Sequence, residues 1–139
     1  MPVYRLLYDL ARRVEKETRG FPSDFKWLRS QVCRSSESAF ANMREGFYSQ
    51  YSTEYLQSLF RSRREAEESV GHLTYARDAE ILEVGKADSL VSDYNDALGQ
   101  TAGLISSIER KIATKGKGKP GHLCESACHY VDSTGENLP

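Results

Sequence analysis

The spacing of apolar residues in the last third of the chain constrains its fold most strongly. Between Asp88 and Thr114, apolar side chains recur mainly at intervals of three and four residues, which is the repeat of one face of an α-helix. The positions of this stripe are Leu90, Val91, Tyr94, Ala97, Leu98, Thr101, Ala102, Ile105, Ile108 and Ile112. A helix with such a stripe has to bury it, so the rest of the chain must supply further apolar surfaces.

The first half of the chain contains two segments with the same repeat. Residues 2–19 predict a first helix, which Gly20 ends. Its apolar face consists of Val3, Leu6, Leu7, Leu10, Ala11 and Val14. Pro22 has the backbone angle that suits the first turn of a second helix, which is predicted to run to about Glu45, with Gly46 as its stop.

A third segment with this repeat follows the turn after Gly46. Ser52 or Thr53 is its predicted N-cap, and the repeat fades near Arg77. Its apolar positions are Tyr55, Leu56, Leu59, Phe60, Ala66, Val70, Leu73 and Ala76. A mixed connection leads to Asp88, the predicted N-cap of the fourth helix. No segment shows the alternating pattern of a β-strand.

Four amphipathic helices joined by short turns predict an all-α fold, namely an antiparallel up-down-up-down four-helix bundle over residues 1–114. The length of 139 residues fits a single domain. Residues 115–139 have no apolar repeat and predict a flexible C-terminal tail. The tail contains side chains of zinc-ligand type, which are His122, Cys124, Cys128 and His129. Their compressed spacing lacks the separated pairs of a structural zinc site, so no metal or other cofactor is predicted.

Composition and charge restrict the function. The formal net charge is -1, so nothing in the overall charge indicates binding to nucleic acid or to a membrane. No segment approaches the ~20 apolar residues of a membrane span, and 3 cysteines form a poor disulfide framework, so a cytoplasmic location is expected. The chain also lacks a Glu-x-x-His motif and a glycine-rich phosphate loop between a strand and a helix, so no enzyme activity is predicted.

The second predicted helix carries two rows of residues. Its predicted core face consists of Leu28, Val32, Ser35, Ser36, Ala39 and Met43. A polar row beside that face consists of Trp27, Gln31, Arg34, Ser38, Asn42 and Glu45. We interpret Trp27, Gln31, Arg34, Asn42 and Glu45 as an oligomer interface, because a tryptophan in a row of polar side chains is typical of a surface that meets a partner. The alternative is a solvated face with one exposed aromatic ring.

The region around this helix also resembles a known family. Its landmarks are Phe21-Pro22, Leu28-x-x-Gln31-x-x-Arg34, Asn42-x-x-Glu45-Gly46, Ser52-x-Glu54-Tyr55 and Glu68. With these, the chain resembles the four-helix-bundle proteins encoded in intervening sequences of bacterial large-subunit ribosomal RNA genes, over about residues 4–112. The resemblance implies a ring-shaped homo-oligomer, commonly a pentamer, and no established enzyme activity. A distant likeness to accessory proteins of diversity-generating retroelements implies binding to a reverse transcriptase and nucleic acid.

Two functional hypotheses follow. The first is a non-enzymatic oligomeric scaffold that binds a macromolecular partner, such as a nucleic-acid enzyme. The second is direct binding of RNA or DNA through basic faces of the assembled ring. The candidate cations are Arg12, Arg13, Lys16, Arg19, Lys26, Arg29, Arg44, Arg61 and Arg64. A solvated helix surface is the simpler explanation for these charges.

Aromatic residues near the predicted bundle ends are further candidates for contacts with bases. Tyr4 and Tyr8 lie one turn apart on the first helix, and Phe47, Tyr48 and Tyr51 follow the second. Such rings stack on bases if they are exposed. The alternative is that they pack the ends of the bundle.

Overall fold

The computed structural model describes residues 2–116, and every regular element in that range is helical. The elements are α1 (Pro2–Glu17), a 3₁₀ turn (Ser23–Phe25), α2 (Lys26–Phe47), α3 (Ser52–Asp78) and α4 (Val84–Gly116). The predicted all-α four-helix bundle is confirmed.

One apolar core runs through the bundle and takes one face from each helix. All the residues of the predicted core face of α2 are buried. The buried part of the α4 stripe consists of Leu90, Tyr94, Ala97, Thr101, Ile105, Ile108 and Ile112, whereas Ala102 is exposed. The apolar repeat therefore identifies the surface whose removal from water drives the packing.

Contacts between side chains give the relative directions of α2 and α3. Trp27 near the start of α2 contacts Tyr75 near the end of α3. Gly46 near the end of α2 lies against Ser58 near the start of α3. These two helices therefore run antiparallel along a shared seam.

The first and last helices of the chain, α1 and α4, also run in opposite directions. Lys86 at the start of α4 pairs with Glu17 at the end of α1 at 3.2 Å. Further along α4, Asp93 pairs with Arg13, one turn earlier in α1. Each helix contacts two neighbours in the order α1, α2, α3, α4 and back to α1.

The first two helices differ from the prediction at the connection between them. Helix α1 ends at Glu17, because residues 18–20 form a turn before Phe21. Helix α2 begins at Lys26 instead of Pro22, because the amide of Phe25 donates to the Pro22 carbonyl at 2.9 Å and closes a 3₁₀ turn first.

The predicted N-cap of α3 was wrong. Ser52 and Thr53 already belong to the helix, and Tyr51 precedes it without a side-chain cap. The start of the helix is held instead by packing, since Leu56, just after the first turn, is buried in the core.

Helix α4 is longer than predicted at both ends. At its start the Glu83 carboxylate accepts hydrogen bonds from the amides of Gly85 and Lys86, both at 3.1 Å, and so caps the helix. Asp88, the predicted cap, lies one turn further on and accepts a hydrogen bond from Arg77 of α3 at 2.9 Å. At its end α4 continues to Gly116, so the first residues of the predicted tail are helical. Outside the described residues lie 117–139, with His122, Cys124, Cys128 and His129.

Gly46 lies within α2 and does not end it, in contrast to the prediction. A methyl group built on Gly46 would lie 2.5 Å from Cβ of Ser58 and 3.1 Å from the Tyr55 ring. Glycine is needed here because α2 and α3 approach too closely for any side chain at this point.

Replacing Gly46 with alanine should therefore destabilise the protein by about 1–3 kcal/mol through overpacking. Gly71→Ala in α3 is the matched control, because nothing lies within 4 Å of its added methyl group. That control should stabilise the protein by about 0.5–1 kcal/mol, since alanine is the better helix former. Urea unfolding measures both free energies, and similar values for the two variants would contradict the close approach at Gly46.

Candidate interaction surfaces

The predicted polar row of α2 lies along the groove between α2 and α3. At one end of the row, the rings of Trp27 and Tyr75 meet edge to face, with centroids 5.9 Å apart. Trp27 is 52% exposed and Tyr75 is 51% exposed. The two aromatic rings thus contact each other, while about half of each side chain remains exposed to solvent. Exposed aromatic surface of this kind is typical of a site that binds a partner.

Arg34, near the middle of the row, is held by carboxylates of α3 in the same protomer. It donates to Glu68 at 2.6 Å and to Glu65 at 3.5 Å. The hydrogen bond to Glu68 raises the pKa of Arg34 further above its ordinary value. Helical spacing did not predict this pairing, because it depends on the register between the two helices.

Glu65 and Glu68 are neighbouring carboxyl groups with opposite pKa shifts. Burial raises the pKa of Glu65, and its hydrogen bond with Glu68 adds to that rise. Burial opposes ionisation of Glu68 as well, but hydrogen bonds with Glu65 and Arg34 outweigh it and lower the pKa of Glu68. Glu65 therefore keeps its proton to a higher pH than Glu68, and Arg34 makes its shorter hydrogen bond with Glu68.

These directions predict different pH effects for the two positions. Because the folded-state pKa of Glu68 is lowered, its contribution to stability is present at neutral pH and lost as the pH falls through that pKa, below 4.5. Glu68→Gln should therefore cost about 0.3–1 kcal/mol at pH ~7, a small value because the pair is half-exposed, and nothing in acid.

Glu65→Gln is the matched comparison for that measurement. The raised pKa of Glu65 means that its contribution is present in acid and lost as the pH rises, so the amide should not lower stability at neutral pH. Urea unfolding of both variants at neutral and acidic pH tests the assignment. A larger loss for Glu65→Gln than for Glu68→Gln at neutral pH would contradict it.

The rest of the row faces solvent or bonds within its own helix. Gln31 and Glu45 are exposed. The Asn42 side-chain amide donates to the Ser38 carbonyl at 2.8 Å. The row of Trp27, Gln31, Arg34, Asn42 and Glu45 therefore forms one flank of α2, in which Gln31 and Glu45 are exposed and Asn42 is partly buried.

Below this flank, serine side chains form hydrogen bonds between α2 and α3. These serines were not identified as a set from the sequence. Ser35 and Ser69 share a hydrogen bond of 2.7 Å, and both are buried. The Ser62 hydroxyl donates to the Ala39 carbonyl at 2.7 Å. Serines at positions 58, 62 and 69 lie on one face of α3, and this repeat was the signal that two helix backbones approach closely there.

The candidate cations divide into paired and unpaired groups. Arg13 pairs with Asp93, and Arg19 and Arg29 both reach Glu15, whose pKa is lowered by the hydrogen bond from Arg19. Among the described residues, the candidates without an ion pair are Arg12, Lys16, Lys26, Arg44, Arg61 and Arg64. They are distributed over three helices and do not form a single cluster.

The aromatic candidates also separate into two kinds. Tyr4 and Tyr8 pack edge-on against Phe40 of α2, with centroid distances of 6.1 and 5.2 Å, and are half-buried. By contrast, Phe47 is 56% exposed, Tyr48 is 72% exposed and Tyr51 is 62% exposed. Of these five candidates, the three rings around the α2–α3 turn are therefore the ones that are mostly exposed.

Residues 2–116 contain neither a candidate membrane span nor a candidate metal centre. No described helix is long and apolar enough to cross a membrane. Within the same range, no group of three or more His, Cys, Asp and Glu side chains comes close enough together to hold a metal ion.

Comparison with known proteins identifies the family. The model of the family described as 23S rRNA-intervening sequence protein matches residues 1–103. No curated protein matches the chain. The family match covers most of the 139 residues, including α1, α2, α3 and more than half of α4. The chain therefore belongs to the 23S rRNA-intervening sequence protein family.

Proposed function

We propose that this protein is a cytoplasmic, non-enzymatic scaffold that assembles into a homo-oligomer, in the manner of a pentameric ring, and binds a macromolecular partner. The observation that carries the proposal is the half-exposed pair of Trp27 and Tyr75 at one end of the polar flank of α2. Tryptophan and tyrosine are enriched at the energetic centres of protein interfaces, where neighbouring polar groups exclude water.

The polar flank has further properties of an interface between copies. Arg34 is oriented by Glu65 and Glu68 before any partner arrives, so little side-chain freedom is left to lose on association. Its guanidinium group has more donors than these two contacts use. A second copy that supplies acceptors to Arg34 and an apolar contact to Trp27 would complete this surface.

The chain contains 1 tryptophan, which provides a direct test. If Trp27 enters an interface, its fluorescence should shift to shorter wavelength and become less accessible to acrylamide as the protein concentration rises through the assembly range. A spectrum and quenching constant that stay the same while the molar mass increases would place Trp27 outside the interface.

Direct binding of RNA or DNA is the second candidate function. It is supported by the candidate cations that lack carboxylate partners, such as Arg12 and Lys16, one turn apart on the exposed side of α1. Assembly would repeat each such group in every subunit and strengthen the local attraction for phosphates. Affinity for RNA should then fall steeply between ~50 and ~200 mM salt, and no binding at ~50 mM would exclude this function.

A further inference from the structure

The turn between α2 and α3 carries three aromatic rings with open faces. Phe47, Tyr48 and Tyr51 are each more than half exposed, and the Phe47 and Tyr48 rings are 5.5 Å apart in an edge-to-face arrangement. We call these three residues the aromatic end. Large exposed rings grouped within five residues are unusual on a helical bundle and indicate a binding surface.

The aromatic end lies about two helical turns beyond the ring contacts between α1 and α2. Phe40 packs against Tyr4 and Tyr8 of α1. Phe47 follows Phe40 by two helical turns and so lies on the same side of α2. Phe47 is exposed there, and its ring contacts that of Tyr48.

Cations of α4 lie at the same end of the bundle. Arg77 of α3 pairs with Asp88 of α4. Moving from this pair by the same number of residues toward the start of α3 and toward the end of α4 brings Ser52 level with the turn of α4 that contains Ile112. Lys111 and Lys115 are exposed in these last turns of α4. Lys111 lies five turns beyond Asp93, the partner of Arg13, and therefore lies on the side of α4 that faces α1.

The charges at this end are available to an anion. Arg44 lies one turn before the aromatic end and is exposed. Neither Arg44 nor Lys111 nor Lys115 forms an ion pair with a described residue. The nearby carboxylates in sequence are Glu45, Glu54 and Glu109, and all three are exposed. Glu45 and Glu109 lie on different sides of their helices from Arg44 and Lys111.

We propose that the aromatic end, together with Arg44, Lys111 and Lys115, binds single-stranded nucleic acid. Exposed aromatic rings stack on unpaired bases, and cations beside them neutralise the phosphates. A duplex fits this arrangement poorly, because its bases are already stacked on one another. This inference rests on the nucleic-acid candidate function above and gives it a place at the end of the bundle, next to Glu45 at the end of the α2 flank that the scaffold proposal assigns to contacts between copies.

The test measures binding of the full chain to labelled oligo-dT and oligo-U of about 12 nucleotides, with a duplex of the same length for comparison. Tyr48→Leu should weaken single-strand binding by about tenfold, whereas Tyr48→Phe should keep the wild-type affinity because it keeps the ring. Lys111→Gln should lower the slope of log affinity against log salt by about 0.7 for each phosphate that is no longer neutralised. Val84→Ala is the control, because Val84 is exposed at the start of α4 and belongs to neither proposed surface, so it should leave single-strand affinity unchanged.

Several outcomes would overturn the inference. They are equal affinity for the duplex and the single strand, equal binding by Tyr48→Leu and Tyr48→Phe, and a changed molar mass in Tyr48→Leu. The last result would make the aromatic end a contact between copies. A wild-type protein that assembles but binds neither oligonucleotide at low salt would reject this inference and leave the scaffold proposal intact, so the two failures are distinguishable.

Discussion

Replacing Tyr94 with alanine should destabilise the bundle by about 3–5 kcal/mol. Tyr94 has no exposed surface and is the bulkiest of the fully buried side chains. It lies in the first half of α4, where it packs into the shared core, so its loss would leave a cavity that the surrounding helices cannot fill without moving apart. Burial raises the pKa of Tyr94 to about 12, so the hydroxyl is neutral at physiological pH.

Tyr94→Phe is the matched control for this cavity. The Tyr94 hydroxyl faces the hydroxyl groups of Ser36 and Ser69, yet it forms no hydrogen bond of standard geometry with any described residue. Removing it should therefore change stability by less than about 1 kcal/mol. Urea unfolding followed by circular dichroism gives both values. A loss in Tyr94→Phe as large as that in Tyr94→Ala would show that the hydroxyl, and not the volume of the ring, is what matters.

Replacing Trp27 with glutamate should break the assembly. The change removes an aromatic anchor and adds a carboxylate beside Tyr75, which should cost about 2–5 kcal/mol per interface if the surface is desolvated on association. The helical content should stay the same, because Trp27 is half-exposed in the protomer. Light scattering behind a sizing column should then detect monomers or dimers.

Tyr48→Glu is the control for this experiment. It introduces the same charge in place of another exposed aromatic residue, at the opposite end of α2. If copies meet through the α2 flank, the molar mass of Tyr48→Glu should equal that of the wild type. An unchanged mass for Trp27→Glu would assign the interface to another surface, and dissociation of both variants would indicate a contact that involves the ends of the bundle.

The arrangement of the core could be predicted from the sequence, because it depends mainly on which residues avoid water. The repeat of Leu28, Val32, Ala39 and Met43 identifies the buried face of α2, including the two serines between them. The α4 stripe likewise predicts a helix with one face in the core. Burial of apolar surface is the dominant favourable contribution to folding, and its periodicity is visible in one segment at a time.

The helix ends could not be predicted in the same way, because they are decided by competition between local and tertiary contacts. Glycine is common where helices end, but at Gly46 close packing against Ser58 keeps the residue inside α2. Asp88 is a good N-cap residue, but Glu83 reaches the free amides one turn earlier. In each case the deciding partner is a specific atom whose position the sequence pattern does not give.

The residues that form the candidate surfaces could be predicted from the sequence, but the contacts that these residues make could not. The row from Trp27 to Glu45 follows from helical spacing alone. The pairing of Arg34 with Glu68, and the contact of Trp27 with Tyr75, require the register between α2 and α3. The exposure of Tyr48 likewise depends on how the helices pack around the α2–α3 turn, so the sequence alone could not decide between packing and base stacking for this ring.

The molar mass of the wild-type protein is the most direct test of whether copies assemble through the α2 flank. Light scattering over a range of concentrations should give a multiple of 15.7 kDa, about five subunits for a closed ring, that falls on dilution as the interface dissociates. A protein that remains a monomer near 15.7 kDa at every concentration would contradict the account, because the α2 flank would then have no second copy to meet.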